Sequence, residues 1–555
     1  MNARQRFSPL ILLTVAIAWT TVSYGQAPTI TIGQNFMGSS YPNDLSAWPP
    51  DVNGAVGPNY FVEFLNGTFA VYDKTTGQSV KRTSDLHFWS SAGVILSAAD
   101  ATTDPRMIYD PVSQRWFASM VDLDQNQPAG DPTLEANDFL LAVSDTSDPT
   151  LTWHGFILQA DPTHGNFADF PALGVDNQGV YLAGDFFHGQ TTPIGPGLVS
   201  FPKADLLANN PTIANRTWFG SMSYDANGQV LQPASCFDGS VTGAVVAVSD
   251  IGNDSSLHSN VFCFAVQKAS GKGATLTPAT IIPTLPWEVP DNADMGAPLL
   301  TPTQPDGTST VMANDARFSS RVNVVGGVIY AVHNTEYNNH LAIRWYRIQA
   351  SDQTLLESGT LADPNLDYFF PSIAANQFGV VVIGFNACGS SMNISSCAVA
   401  GQTLNGVTTF GNRVTLQSGA TSYHGDDEVY ADLLGNPVFS RWGDYSATSV
   451  DPVDPNRFWT IQMFPPDSAN NDYYSTQITE VITTPQLLLS VQPSGTNMVI
   501  SWPASFTGYQ LQSATGFQSS TSWSNVTQSV TTNGSQLTLV VGGTNQQQFF
   551  RLKKL

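Results

Sequence analysis

Charge is scarce in this chain: Asp, Glu, Lys and Arg together make up 12% of its 555 residues. Basic side chains are scarcer still, 21 against 44 acidic ones, for a formal charge of −23. Such a chain has little with which to neutralise phosphates, which excludes nucleic acid and anionic membrane surfaces as partners. Cations, neutral sugars and basic proteins stay open. Cysteine is limited to four residues with no C-x-x-C spacing and no histidines gathered around them, so they build no zinc site. Helical periodicity is missing beyond a few turns, residues 203–208 being the best short candidate. There is no G-x-S-x-G elbow, H-E-x-x-H, P-loop or dinucleotide fingerprint. Past the first residues, no apolar run is long enough to cross a bilayer.

The chain opens with the features of a secretion signal. Arg4 and Arg6 give a positive start, residues 10–19 form a short apolar run, and Ser23 and Gly25 stand at −3 and −1 of a cleavage before Gln26. Residues 1–25 are therefore expected to be removed, leaving a secreted, cell-surface or periplasmic chain of about 530 residues, too long for one ordinary core. In an oxidising compartment the four cysteines predict two disulfides, and proximity favours Cys236–Cys263 and Cys388–Cys397.

Glycine and proline are plentiful, 45 and 35 residues, which with many β-branched residues argues for an all-β fold with many turns. One pattern recurs. Residues 441–464, RWGDYSATSVDPVDPNRFWTIQMF, read as a small-residue strand, a turn and an aromatic strand. Copies at 50–65, 104–121, 169–183, 240–249, 321–332 and 370–385 put the second strands near 60, 116, 180, 244, 328, 380 and 458. Intervals of roughly 50–85 residues fit four-stranded blades, so the chain predicts a β-propeller of seven blades, with six or eight as alternatives. The small first strands would lie innermost, the bulky second strands such as Trp116-Phe117 and Phe458-Trp459 would pack between blades, and residues 29–34 would close the ring as an outer strand.

The segments DPRMIYDPVSQRWFASMVD (104–122), AVSDTSDPTLTW (142–153), DFPALGVDNQGVYLAG (169–184) and RWGDYSATSVDP (441–452) resemble bacterial secreted β-propeller proteins of sialidase-like and repeat-propeller pattern. The resemblance covers roughly residues 45–465 and implies the fold, with no agreed activity. Residues 144–153 resemble the sialidase Asp-box, a turn motif, without its glycine. After residue 484 the composition changes. MVISWPASFTGYQLQSA (498–514) and FFRL (549–552) resemble an immunoglobulin-like or fibronectin type III-like module, with Trp502 as core tryptophan and Tyr509 on the next strand. The expected organisation is thus a signal at 1–25, a propeller at 26–484 and a small β-sandwich at 485–555.

Two sets of residues stand near the presumed starts of innermost strands. Asp51, Asp104, Asp169 and Asp444 would meet around one channel mouth, with Asp367 offset. Together they could bind Ca²⁺, act as acid and base on a sugar, or each cap its own turn. Arg106, Arg317, Arg321 and Arg441 are conspicuous where arginine is rare; they suit either a carboxylate-bearing sugar or pairing with those aspartates. The run His424-Gly425-Asp426-Asp427-Glu428 and the stretch 122–131 read as exposed acidic loops, the second without the glycine and glutamate of an EF-hand. The expectation is a secreted propeller that binds a glycan or an extracellular protein at a channel mouth without catalysis. The alternative is a carbohydrate-active hydrolase or lyase, sialidase-like, using channel carboxylates.

Overall fold

The computed structural model describes residues 27–97, 100–124, 137–189, 192–248, 257–290, 300–404, 406–425, 440–484, 489–495, 497–504, 506, 508–516, 522–533, 536–542 and 548–554. It is a seven-bladed β-propeller followed by two smaller sheets. Blade 1 shows the plan: strands Asn53–Val56, Tyr60–Leu65, Thr68–Asp73 and Ser79–Thr83 follow one another, antiparallel, from the hub outward. Blades 2, 3 and 4 begin on the inner strands Asp100–Asp110, Phe167–Val175 and Gln229–Pro233. Blades 5, 6 and 7 begin on Asn323–Val325, Asp367–Ala375 and Ala447–Val450. Second strands start at Tyr60, Arg115, Gly179, Ala244, Val328, Val380 and Arg457, each within a residue of the spacing read from the sequence.

The ring closes through the two ends of the propeller. Thr29–Ser40, longer than the expected 29–34, pairs antiparallel with Ser475–Thr484 as the outer strand of blade 7. Glu63 of blade 1, fully buried, locks this closure: it accepts from the Ser39 backbone N–H, the Ser39 and Tyr72 hydroxyls and the Thr476 hydroxyl. Each blade remains a separate sheet, with its inner edge short and sheltered in the hub rather than paired.

Period-two alternation divides each second strand between two neighbours. Trp116 packs with blade 1 residues Phe64 and Phe69, whereas Phe117 packs with blade 3 residues Leu182 and Phe186. Phe458 faces blade 6 and Trp459 faces blade 1 in the same way. Burying each such aromatic contributes about 1.5–3 kcal/mol, and every blade interface holds its own cluster. The hub imposes the opposite demand. A Cβ on Gly174 of blade 3 would come within 2.6 Å of the Pro233 carbonyl oxygen of blade 4, so only glycine allows that approach.

Blades 4 and 5 depart from the plan of blade 1 for a topological reason. The inner strand of blade 4 precedes residue 240, and the chain then leaves it at once: Ser235–Cys236 pairs in parallel with Asn323 and Val324 of blade 5. Blade 5 turns at Gly326 and Gly327, whose φ angles of 58° and 79° suit the two-residue turn that joins twisted strands.

The predicted disulfides are not formed: all four cysteines are free and buried. Cys388 and Cys397 lie on paired strands of blade 6, but Cys397 stands opposite Phe385, and Cys388 joins the cluster facing blade 7 while Cys397 joins the one facing blade 5. Cys236 sits on the segment added to blade 5 and donates to Asp238, while Cys263 lies in the third strand of blade 4. Helix is confined among the described residues to Asp85–Ser91, Lys203–Leu206 and Tyr224–Asn227, the second where the sequence suggested. None is long or apolar enough to cross a membrane.

Beyond the propeller, a sheet containing Asn497–Pro503 and Gln536–Gly542 and a sheet containing Tyr509–Ala514 and Phe549–Lys554 share a core of Ile500, Trp502, Leu511 and Leu539. Trp502 is buried there, as expected of a small β-sandwich. The signal region 1–25 lies outside the described residues.

Candidate functional site

The site begins with a backbone device repeated around the hub. Five inner strands carry, in their first half or just ahead of it, a residue with positive φ: Asp51 (47°), Asp104 (62°), Phe170 (52°), Val230 (51°) and Phe370 (48°). In blades 2, 3, 4 and 6 it falls in a β-bulge. Such a bulge turns side chains out of the strand's regular alternation, and a non-glycine residue is held in that conformation only by firm surroundings.

At this mouth the carboxylates of Asp51, Asp104 and Asp444, from blades 1, 2 and 7, each place an oxygen within 4.8 Å of the others. Asp51 and Asp104 are 2% and 5% exposed, while the Asp444 side chain keeps 17%. Contacts across blades and contacts within a blade both hold them. Asp51 accepts from the Asp444 backbone N–H (3.0 Å) and from Asn66 (2.7 Å). Asp104 accepts from the Tyr445 hydroxyl (2.8 Å), and Asp444 from Asn314 (3.0 Å) and Arg441 (3.2 Å). Burial, with repulsion from Asp169 and Asp444, pushes Asp104 up to about 6. Burial and the two neighbouring carboxylates hold Asp51 well above the usual carboxylate range. Asp169 is also raised by burial, against the pull of Arg317, and it caps its own turn by accepting from Phe170 N–H (2.8 Å).

Side chains that cap the turn two residues on repeat at the opposite ends of the inner strands. Asp110, Asp176, Asn376 and Asp451 each accept from the backbone N–H two residues on. Asp367 accepts from Leu341 and Thr303 N–H groups and is remote in role from the mouth.

Below the carboxylates the hub is plugged. Phe170, Val230 and Tyr445 form a separate buried cluster, with Phe170 and Tyr445 ring centres 4.7 Å apart. The Arg106 guanidinium lies 3.5 Å from the centre of the Tyr445 ring and that of Arg317 4.3 Å from Phe170, so cations cover the rings. Arg317 pairs with Asp315 (2.5 Å) and Arg441 with Asp444, the pairing considered for these residues. Arg106 instead donates to the Pro171 (2.6 Å) and Ser319 (3.0 Å) carbonyls. Arg321 stands apart from all of them, on the other side of the hub in a cavity.

The sequence reading therefore brings together Asp51, Asp104 and Asp444, with Asp169, Arg317 and Arg441 close in charge, and misplaces Arg321. It missed Tyr445, Phe170, Asn66 and Asn314, which orient the carboxylates, although Tyr445 adjoins Asp444 in the singled-out motif. It also missed Asp185, 4% exposed on the second strand of blade 3, which burial pushes up to about 7 and whose Oδ1 has no hydrogen-bond partner. For a cation the mouth offers three carboxylate oxygens, half or fewer of the six to eight that Ca²⁺ takes. His424 bonds Asp306 (2.7 Å), while Asp426, Asp427 and Glu428 lie outside the described residues, as does most of 122–131.

No protein-family model matches the chain, and no curated protein does. Solved structures similar to it include a protein of unknown function from Dyadobacter fermentans (10% identity, TM-score 0.35, 70% of this chain and 97% of that one). Another is the GH93 α-L-arabinofuranosidase of Fusarium graminearum with arabinobiose (9% identity, TM-score 0.37, 81% and 98%). A third is the GH43 endo-arabinanase from Bacillus licheniformis (10% identity, TM-score 0.27, 67% and 94%). Likeness at this level carries no argument.

Proposed function

We propose that the acidic mouth is the working end of a carbohydrate-active hydrolase or lyase. One observation carries the reading: carboxylates from three blades lie within 4.8 Å of one another, and burial with repulsion from its neighbours pushes one of them, Asp104, up to about 6. General acid catalysis needs a group that still holds a proton close to working pH, with an ionised partner nearby. Asp444, the most exposed of the three, is the group offered to a ligand, and Asp104 is the proton reservoir behind it. The formal charge of −23 favours a neutral glycan over a polyanionic one. A sialidase-like nucleophile is disfavoured, because Tyr445 donates to Asp104 and burial holds its hydroxyl well above the ordinary tyrosine value.

A panel of neutral oligosaccharides assayed for new reducing ends, or for the unsaturated product of a lyase, tests this. Turnover should fall at least 100-fold in Asp444→Asn with the melting temperature kept within a few degrees. A glycan that binds and is never cleaved would refute it. That outcome would support a second reading, a non-catalytic receptor for a glycan or extracellular protein, which draws on the hydrogen bonds already made to Asp51, Asp104 and Asp444. In either case we place the protein outside the cell, with residues 1–25 as cleaved signal, 26–484 as propeller, and 485–555 as an immunoglobulin-like or fibronectin type III-like spacer or attachment unit.

A further inference from the structure

On the far side of the aromatic plug, where the inner strands end, the hub opens into a cavity of about 370 Å³. That is within the size range of small-molecule sites. Its wall comes from five blades and is mostly apolar: Val56, Tyr109, Phe237, Val324 and Val450 are among the lining residues. Among the described residues, Arg321 is the basic side chain in its lining, and it precedes the inner strand of blade 5.

Arg321 differs from the other hub arginines in having neither a counter-ion nor a carbonyl partner among the described residues. Arg317 and Arg441 each hold an aspartate, and Arg106 is bound to two carbonyls. Among the described residues, the Arg321 guanidinium has no hydrogen bond or ion pair. Burial alone, with no acidic neighbour acting on it, brings it down to about 10, so it stays charged at neutral pH. The two acids in the same wall are already committed. Asp451 is held by Lys74 (2.8 Å) and Trp459 (3.1 Å), and Asp238 accepts from Ser240 and from the Gly326 N–H (2.6 Å). The half-buried guanidinium has donors free to take a partner, and its planar fork matches a carboxylate with two parallel hydrogen bonds.

We propose that this cavity binds a small organic monocarboxylate with a largely apolar body, its carboxylate on Arg321 and its body against the aliphatic and aromatic wall. The two wall aspartates select against dianions, since phosphate would add a second negative charge beside Asp238 and Asp451. Exposed Gln377 at the rim offers an amide for a second polar group on the ligand. The proposal does not depend on the acidic mouth, which lies beyond the plug and is made of other residues.

The test uses the full chain, with benzoate as the probe and inorganic phosphate and benzyl alcohol as controls, followed by calorimetry and by thermal melting. Benzoate should bind and raise the melting temperature, and neither control should. Arg321→Gln should weaken benzoate binding roughly ten- to a hundredfold, as loss of a charge-assisted pair implies, and Arg321→Lys should weaken it less. Without ligand, Arg321→Gln should melt no lower than the natural chain, because it removes an unpaired charge; this separates lost binding from lost folding. Benzoate that fails to bind, that binds Arg321→Gln equally well, or that binds no better than phosphate would overturn the proposal.

Discussion

Asp185 offers the sharpest test of the electrostatics of the hub. Its carboxyl is buried, one oxygen has no hydrogen-bond partner, and it titrates near 7 against 3.8 for the free group. The native state therefore binds a proton that the unfolded chain has released between these two values. Native stability must then fall as pH rises from about 4 and level off once pH passes about 7. The full difference of about three units corresponds to about 4 kcal/mol, and roughly 3 kcal/mol of it is lost between pH 5 and pH 8. Asp185→Asn keeps the shape and cannot ionise. Melting measured from pH 5 to 8 should show the variant gaining on the natural chain at each step, by a few degrees at pH 8, with the smallest gain at pH 5. Parallel profiles for the two proteins would refute the assignment of a buried, under-bonded carboxyl at this position.

Other predictions follow from the closure and the hub. Glu63→Ala leaves four donors at the blade 1–blade 7 seam without their acceptor and should cost about 4 kcal/mol or more, read as a lower melting temperature. Removing residues 27–40 strips the outer strand of blade 7 and should turn the single melt into a broader, earlier one with dye binding to the exposed edge. Thiol titration of the denatured chain without reductant should give four free thiols, and reductant should leave the melting temperature unchanged. Tyr445→Phe takes away the hydroxyl that stabilises ionised Asp104, so any pH profile governed by Asp104 should move to higher pH.

How far the sequence carried the fold can be judged from single residues. Trp116-Phe117 and Phe458-Trp459 announced strands buried on both faces, and the regular return of small residues ahead of such pairs pointed to seven blades, with six or eight left open. These signals are local, because a blade is built from neighbouring strands. Blade 4 was blurred where its inner strand passes at Ser235 to the next sheet, an event between blades that leaves no local mark. The cysteines misled for a related reason: closeness along the chain put Cys388 and Cys397 together, and strand register put them on opposite faces.

What the residues alone determined was the period, the acidic composition and the presence of aspartates at the starts of inner strands. Only the closed ring decided which of those aspartates meet. Asp51 and Asp444 are separated by nearly the whole propeller in sequence, yet the Asp444 N–H donates to Asp51. The same closure left Arg317 paired and Arg321 alone. Ion pairing depends on distances across the hub, and the positive-φ bulges and the angle of each blade set those distances after the chain has folded.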